Sequence, residues 1–138
     1  MTHQCGCACG AIRFEVKGEP LSVAVCHCSQ CKKQTGAPMF MAPAFNNDDI
    51  VFEKGEPKWF QSSEIAKRGF CENCGSALFF KFEGIDAMDV LIGAFDDPDV
   101  FSPRDHLFMK SKLHWIGVDE SLPLYESDRS KKPMNSKD

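Results

Sequence analysis

The chain has 138 residues, 43% of them hydrophobic and 26% charged, and a formal net charge of -4. That size suits one soluble domain with a modest core. The acidic balance, with no long basic run before the tail, argues against a nucleic-acid partner, and no window approaches the ~20 apolar residues of a membrane-spanning helix.

Taken in order, Ile12 to Lys17 alternates cleanly, with Ile12, Phe14 and Val16 on one side and Arg13, Glu15 and Lys17 on the other, the pattern of a half-buried strand. Gly18-Glu19-Pro20 breaks it, and Leu21 to Val25 is a second strand that leads into Cys26. After Cys28, Ser29 is placed to cap one helical turn through Lys32 and Lys33, ended by Gly36. Met39 to Phe45 reads as a strand interrupted by Pro43, and Asn46 to Asp49 as a turn. Short strands follow at Ile50 to Glu53, Lys58 to Gln61, Ile65 to Phe70, Ala77 to Phe82 and Met88 to Ile92. Cys71 to Gly75 is a tight knuckle. Phe95 to Phe101, with three aspartates and Pro98, is a loop or short helical turn. His106 to Met109 and Leu113 to Ile116 are expected as edge strands. Many short strands with frequent turn signals predict a mainly β fold, a single domain of short antiparallel strands and loops with little helix, over residues 1–126. Residues 127–138 are polar and charged, and are expected to be disordered. The N-terminus lacks a charged segment followed by an apolar one, so the cytoplasm is the expected compartment.

All eight cysteines fall in three places: Cys5, Cys7 and Cys9; Cys26, Cys28 and Cys31; Cys71 and Cys74. In a thiol-reducing compartment such clusters read as metal ligands before disulfides. Zinc takes four ligands and favours thiolate. Cys-x-x-Cys-Gly is a knuckle that turns both sulfurs to one ion, and Cys-x-Cys in a strand keeps two on one face. Cys7, Cys9, Cys71 and Cys74 would complete a closed structural site. Cys26, Cys28 and Cys31 would leave an open position, the pattern of a catalytic metal. Three thiolates leave such a site net negative, a poor polariser of a carbonyl but able to hold an external thiol as thiolate. A second partition stays open at this point: Cys28 and Cys31 with Cys71 and Cys74, and Cys5, Cys7, Cys9 and Cys26 apart. So does a fourth ligand to the second site, from His27 or from Cys5, which has the strand parity of Cys7 and Cys9.

Three ordered motifs carry a resemblance. They are Cys7-x-Cys9-Gly10-Ala11-Ile12-Arg13-Phe14, then Cys26-His27-Cys28-x-x-Cys31 with Gly36-Ala37, then Phe70-Cys71-x-x-Cys74-Gly75-Ser76-x-Leu78. With Ser62-Ser63, Arg68, Gly93-x-x-Asp96-Asp97-Pro98, His106 and Lys112-x-x-Trp115, they resemble the glutathione-dependent formaldehyde-activating family, also called the centromere protein V type. The resemblance runs from about Cys7 to Trp115. It implies a mainly β, zinc-bound fold, the first of the two partitions, and addition of glutathione's thiol to formaldehyde by a carbon–sulfur lyase. Cys5 departs from the family's common pattern.

Glutathione carries two carboxylates and an ammonium, so its site should offer cations and backbone donors. Lys32, Gln34, Thr35 and Gly36, just past the open site, are the expected contacts; Lys33, Arg68 and Lys112 are further cations. His27 is expected beside the ligands or at the surface. His106, His114, Trp59 and Trp115 are expected as packing, rim or solvent-facing residues. The competing function is a non-enzymatic, zinc-supported protein-binding module with both sites closed.

Overall fold

A computed structural model describes residues 1–137. In chain order its strands are β1 (Thr2–Gly6), β2 (Arg13–Lys17), β3 (Ser22–Cys26), β4 (Phe40–Asn46), β5 (Ile50–Lys54), β6 (Lys58–Gln61), β7 (Ala66–Phe70), β8 (Ala77–Phe82), β9 (Ala87–Val90) and β10 (Asp105–Leu107). The one α-helix among the described residues, α1 (Ser29–Thr35), lies between β3 and β4 in the sequence. The fold is therefore mainly β with little helix. The chain divides into two compact units. Met1–Ser22 and Ala42–Phe101 make the first; Val23–Met41 and the chain from Ser102 onward make the second. No described helix is long and apolar enough to cross a membrane.

In the first unit β2 pairs antiparallel with β1 and β5. The alternation read from β2 is realised, with Phe14 and Val16 buried in the core. β1 has no apolar alternation and no sequence signal. Its backbone completes the ladder, with Cys5 opposite Phe14. The remaining strands run in the order β4-β9-β8-β7-β6, each antiparallel to the next. The core joins Ile12, Phe14, Val16, Phe45, Leu78, Phe79, Val90 and Phe95. Phe14 and Phe79 stack at 4.9 Å between centroids, tilted by 47°. Close-packed rings of this kind hold the two ends of the Cys7 and Cys71 loops in place.

The second unit departs from an all-antiparallel reading, since β3 and β10 are parallel. Asp105 faces Ala24, His106 faces Val25 and Leu107 faces Cys26. A parallel pair needs a long connection, which is why its members are far apart in sequence. β10 is shorter than expected because Phe108 takes a left-handed conformation (φ 56°) and Met109–Ser111 forms a 3-10 turn. Leu113 to Ile116 is not a strand: the Lys112 ammonium donates to the Leu113 and Ile116 carbonyls at 3.0 and 2.8 Å and gathers them into a turn. Among the described residues of the tail, expected to be disordered as a whole, there are specific contacts. Arg129 grips the buried Asp105 carboxylate with two bonds of 2.6 and 3.0 Å, and the Met134 N–H reaches the Leu124 carbonyl at 2.7 Å. A buried carboxylate demands a cation, and composition alone does not show that a tail arginine answers it.

Candidate metal centres

Two groups of thiols form, one in each unit. The Sγ atoms of Cys7, Cys9, Cys71 and Cys74 lie within 4.8 Å of one another, and so do those of Cys26, Cys28 and Cys31. The partition with Cys28 and Cys31 beside Cys71 and Cys74 does not occur.

The four-cysteine set joins two turns. Cys7-Ala8-Cys9 follows β1 in a turn, not in a strand, so strand parity is not what pairs its sulfurs. The Gly10 N–H closes the turn on the Cys7 carbonyl at 3.2 Å. Cys71 to Gly75 is the expected knuckle: the Gly75 N–H reaches the Cys71 carbonyl at 2.7 Å, and Gly75 sits at φ 79°. Glycine takes that conformation without strain. Sγ of Cys9 is 3.6 Å from Cys7 and 3.9 Å from Cys71. Donors point at the sulfurs: the Ile12 N–H at Cys7 (3.3 Å), the Asn73 amide at Cys9 (3.2 Å) and the Ser76 hydroxyl beside Cys74 (3.2 Å). The Ser76 hydroxyl and N–H pull the Cys74 thiol down to about 5. For Cys7, burial raises the thiol, but the Ile12 N–H and the neighbouring thiols outweigh it and the net direction is down. Such donors favour the ionised sulfur that a metal requires. Asn73 and Ser76 were not foreseen in this role; a polar residue inside the knuckle and a hydroxyl two positions after its second cysteine were the available signals.

The three-cysteine set is built by the end of β3 and the start of α1. The helix cap is Cys28, not Ser29: its sulfur accepts the Cys31 N–H at 3.3 Å. One turn of helix then returns Cys31 to Cys26, with 3.5 Å between their sulfurs. Gly36 ends the helix as expected, left-handed at φ 66° with its N–H on the Lys32 carbonyl. Cys26 and Cys31 are buried, and Cys28 is partly exposed. Hydrogen bonding with Cys28 and Cys31, then burial, pushes the Cys26 thiol far up. Donor chemistry and spacing fit a soft divalent metal in both groups.

Neither proposed fourth ligand joins this set. Cys5 belongs to neither group; its thiol is fully buried near the His3 carbonyl, and burial followed by the charge of Asp96 pushes it up to about 12. His27 is fully buried, not at the surface, and its Nε2 lies 3.0 Å from Nδ1 of His106, also buried. Burial, then His106, Lys112 and Lys32, push the His27 imidazole down to about 4; burial also lowers His106. Both rings are thus neutral near pH 7. Beyond its place among the family-matching positions, His106 was expected as packing or solvent-facing; its partner His27 comes from a strand end too distant for local pattern to reveal.

Of the expected peptide contacts, Lys32 reaches the Ser111 carbonyl at 2.7 Å and the Thr35 hydroxyl donates to the Cys31 carbonyl at 2.7 Å. The Gly36 N–H is used in the helix cap, and Gln34 is exposed. Arg68 is buried, its guanidinium 4.7 Å from the Phe80 ring, so it is not a surface charge. Trp115 is 63% exposed and outside the core.

Comparison with known proteins follows this geometry. A protein of Schizosaccharomyces pombe named as an uncharacterised lyase is 32% identical over 80 residues, covering 58% of this chain and 58% of that protein, so the chain spans little more than half of that relative. A Halomonas elongata protein, provisionally named a glutathione-dependent formaldehyde-activating enzyme, is 28% identical over 123 residues, covering 82% of this chain and 78% of that one. The crystal structure of a Rhodobacter sphaeroides protein shares the fold with a TM-score of 0.56 and 24% identity, over 75% of this chain and 93% of that one. The family profile described as glutathione-dependent formaldehyde-activating enzyme matches residues 2–111 and takes in both cysteine groups entire. The chain belongs to that family.

Proposed function

We propose that the chain is a zinc-dependent carbon–sulfur lyase that binds glutathione and promotes addition of its thiol to a small aldehyde such as formaldehyde, giving S-hydroxymethylglutathione. The observation that carries the reading is the three-sulfur set: among the described residues no fourth ligand completes it, and Cys28 leaves it partly exposed. Cys7, Cys9, Cys71 and Cys74 would hold a structural zinc, and Cys26, Cys28 and Cys31 a second. Bound there, zinc supplies the charge that keeps a thiol ionised at neutral pH.

The reaction balances without an oxidant. The glutathione sulfur forms a bond to the carbonyl carbon, the C=O π pair moves to oxygen, and the proton lost by the thiol ends on that oxygen. The chain contributes orientation. The bond from the Cys31 N–H fixes the partly exposed Cys28 sulfur, so approach is from its side. Lys32, Gln34 and Thr35 are proposed as contacts to the peptide, with Gly36 leaving room: a Cβ there would meet nothing within 4 Å. Holding thiol and aldehyde together supplies the proximity term. The cytoplasm, rich in reduced glutathione, is the proposed setting.

The non-enzymatic alternative needs a closed second site, and the positions of Cys5 and His27 outside the three-sulfur set weigh against it. Native mass spectrometry during a glutathione titration tests the proposal. The expected result is two zincs and a glutathione adduct per chain, with one zinc, the adduct and aldehyde consumption lost in Cys28→Ser. Full activity in Cys28→Ser, or no adduct at millimolar glutathione, overturns it.

A further inference from the structure

His27 is the residue between two ligands of the three-cysteine set, and it is held twice by β10. Its N–H donates to the Leu107 carbonyl at 3.0 Å, and its Nε2 meets Nδ1 of His106 at 3.0 Å. The rings lie 5.2 Å apart and within 19° of parallel. Both side chains are buried, and Nδ1 of His27 has no hydrogen-bond partner among the described residues. An unsatisfied buried nitrogen is a cost that a leucine of similar volume would not carry. Filling space therefore does not account for this pair. A polar bond does what apolar packing cannot: it fixes the rotation of a ring, and through it the backbone that carries the neighbouring residues.

We infer that His27 and His106 are positioning residues for the three-cysteine site. The bond between their rings, added to the Leu107 bond, locks residue 27 against β10 and so sets the directions in which Cys26 and Cys28 present their sulfurs. Neither histidine is a ligand. The inference rests on the zinc reading of that site. Its mark is a selective effect: loosening the lock weakens the three-cysteine site and leaves the four-cysteine site, in the other unit, unchanged.

The test compares wild type with His106→Leu, which keeps volume and removes the bond, and His106→Asn, whose amide can place a polar atom near the position of Nδ1. Each protein is loaded with zinc and mixed with excess chromogenic chelator. In His106→Leu one zinc equivalent should leave roughly 10–100-fold faster while the other keeps its wild-type rate, and His106→Asn should recover most of the difference. The sulfur-to-metal absorption of the cobalt(II)-loaded proteins should change in His106→Leu and return in His106→Asn. Unchanged release in His106→Leu overturns the inference. So does equal acceleration of both equivalents, which means general loosening, or an Asn variant that behaves as the Leu one, which means packing alone. A wild-type chain that loads only one zinc overturns the zinc reading itself, a result distinct from these and visible before any variant is made.

Discussion

The double variant Cys9→Ser, Cys74→Ser isolates what the four-cysteine site contributes to folding. Both thiols are exposed, so the exchange of sulfur for oxygen removes ligands with little change in packing. One is lost from each side of the link, leaving Cys7 and Cys71, too few for a tetrahedral site. The link spans 62 residues between Cys9 and Cys71. Treated as a cross-link that restricts the unfolded chain, a loop of that length contributes about 4 kcal/mol at 25 °C. With an unfolding entropy of about 2.1 cal/mol/K per residue over 138 residues, the melting midpoint should fall by about 14 °C. Calorimetry of metal-loaded proteins in reducing buffer measures it, and the downward shift caused by a chelator should shrink by the same amount in the variant. A metal-loaded double variant melting within a few degrees of wild type would refute the idea that this cluster ties the N-terminal turn to the knuckle.

Further outcomes follow from single contacts. Ser76 accepts the Ala8 N–H at 3.0 Å and bonds the Cys74 sulfur, so Ser76→Ala should speed metal loss from the four-cysteine site roughly tenfold and leave the other site alone, read by the same chelator assay. Arg13 and Asp96 pair through bonds of 2.9 and 2.6 Å at a partly exposed place, so Asp96→Asn should cost under about 1 kcal/mol in urea unfolding, less at high salt. Arg13 holds the Asp96 carboxyl below its ordinary value. The pair therefore contributes fully above about pH 4, and the wild-type advantage over Asp96→Asn should vanish as pH falls through the depressed folded value. Glycines at positive φ should differ: Gly55→Ala drives a Cβ into the Ala11 carbonyl oxygen and should cost more than about 2 kcal/mol, whereas Gly36→Ala meets open space and should cost only the left-handed penalty of about 1 kcal/mol, both read by urea unfolding.

The sequence exposed what local pattern controls. The Phe14 and Val16 alternation, the Gly36 stop and the knuckle at Gly75 all stand where periodicity and turn chemistry put them. The division of the cysteines followed from ligand arithmetic and the family motifs. What escaped depends on distant partners. β1 exists because β2 offers it a ladder. Cys28 displaces Ser29 as helix cap because a sulfur can accept the Cys31 N–H. The burial of His106 against His27, and the grip of Arg129 on Asp105, join positions that no window contains together.

The second unit is discontinuous: β3 and α1 come early, while β10 comes after the whole of the first unit. His27 and His106 are 79 residues apart. At about 5–20 residues per second, Cys26, Cys28 and Cys31 are made roughly 4–16 s before the strand that pairs with β3. Cys74, the last member of the four-cysteine set, precedes β10 in the chain, so that set is complete in the nascent chain while Cys26, Cys28 and Cys31 still wait for the strand that pairs with β3. Assembly thus has a built-in order, with the four-cysteine set complete first and the three-cysteine set joined by β10 last. A reducing environment and available metal matter most to this protein during its own synthesis.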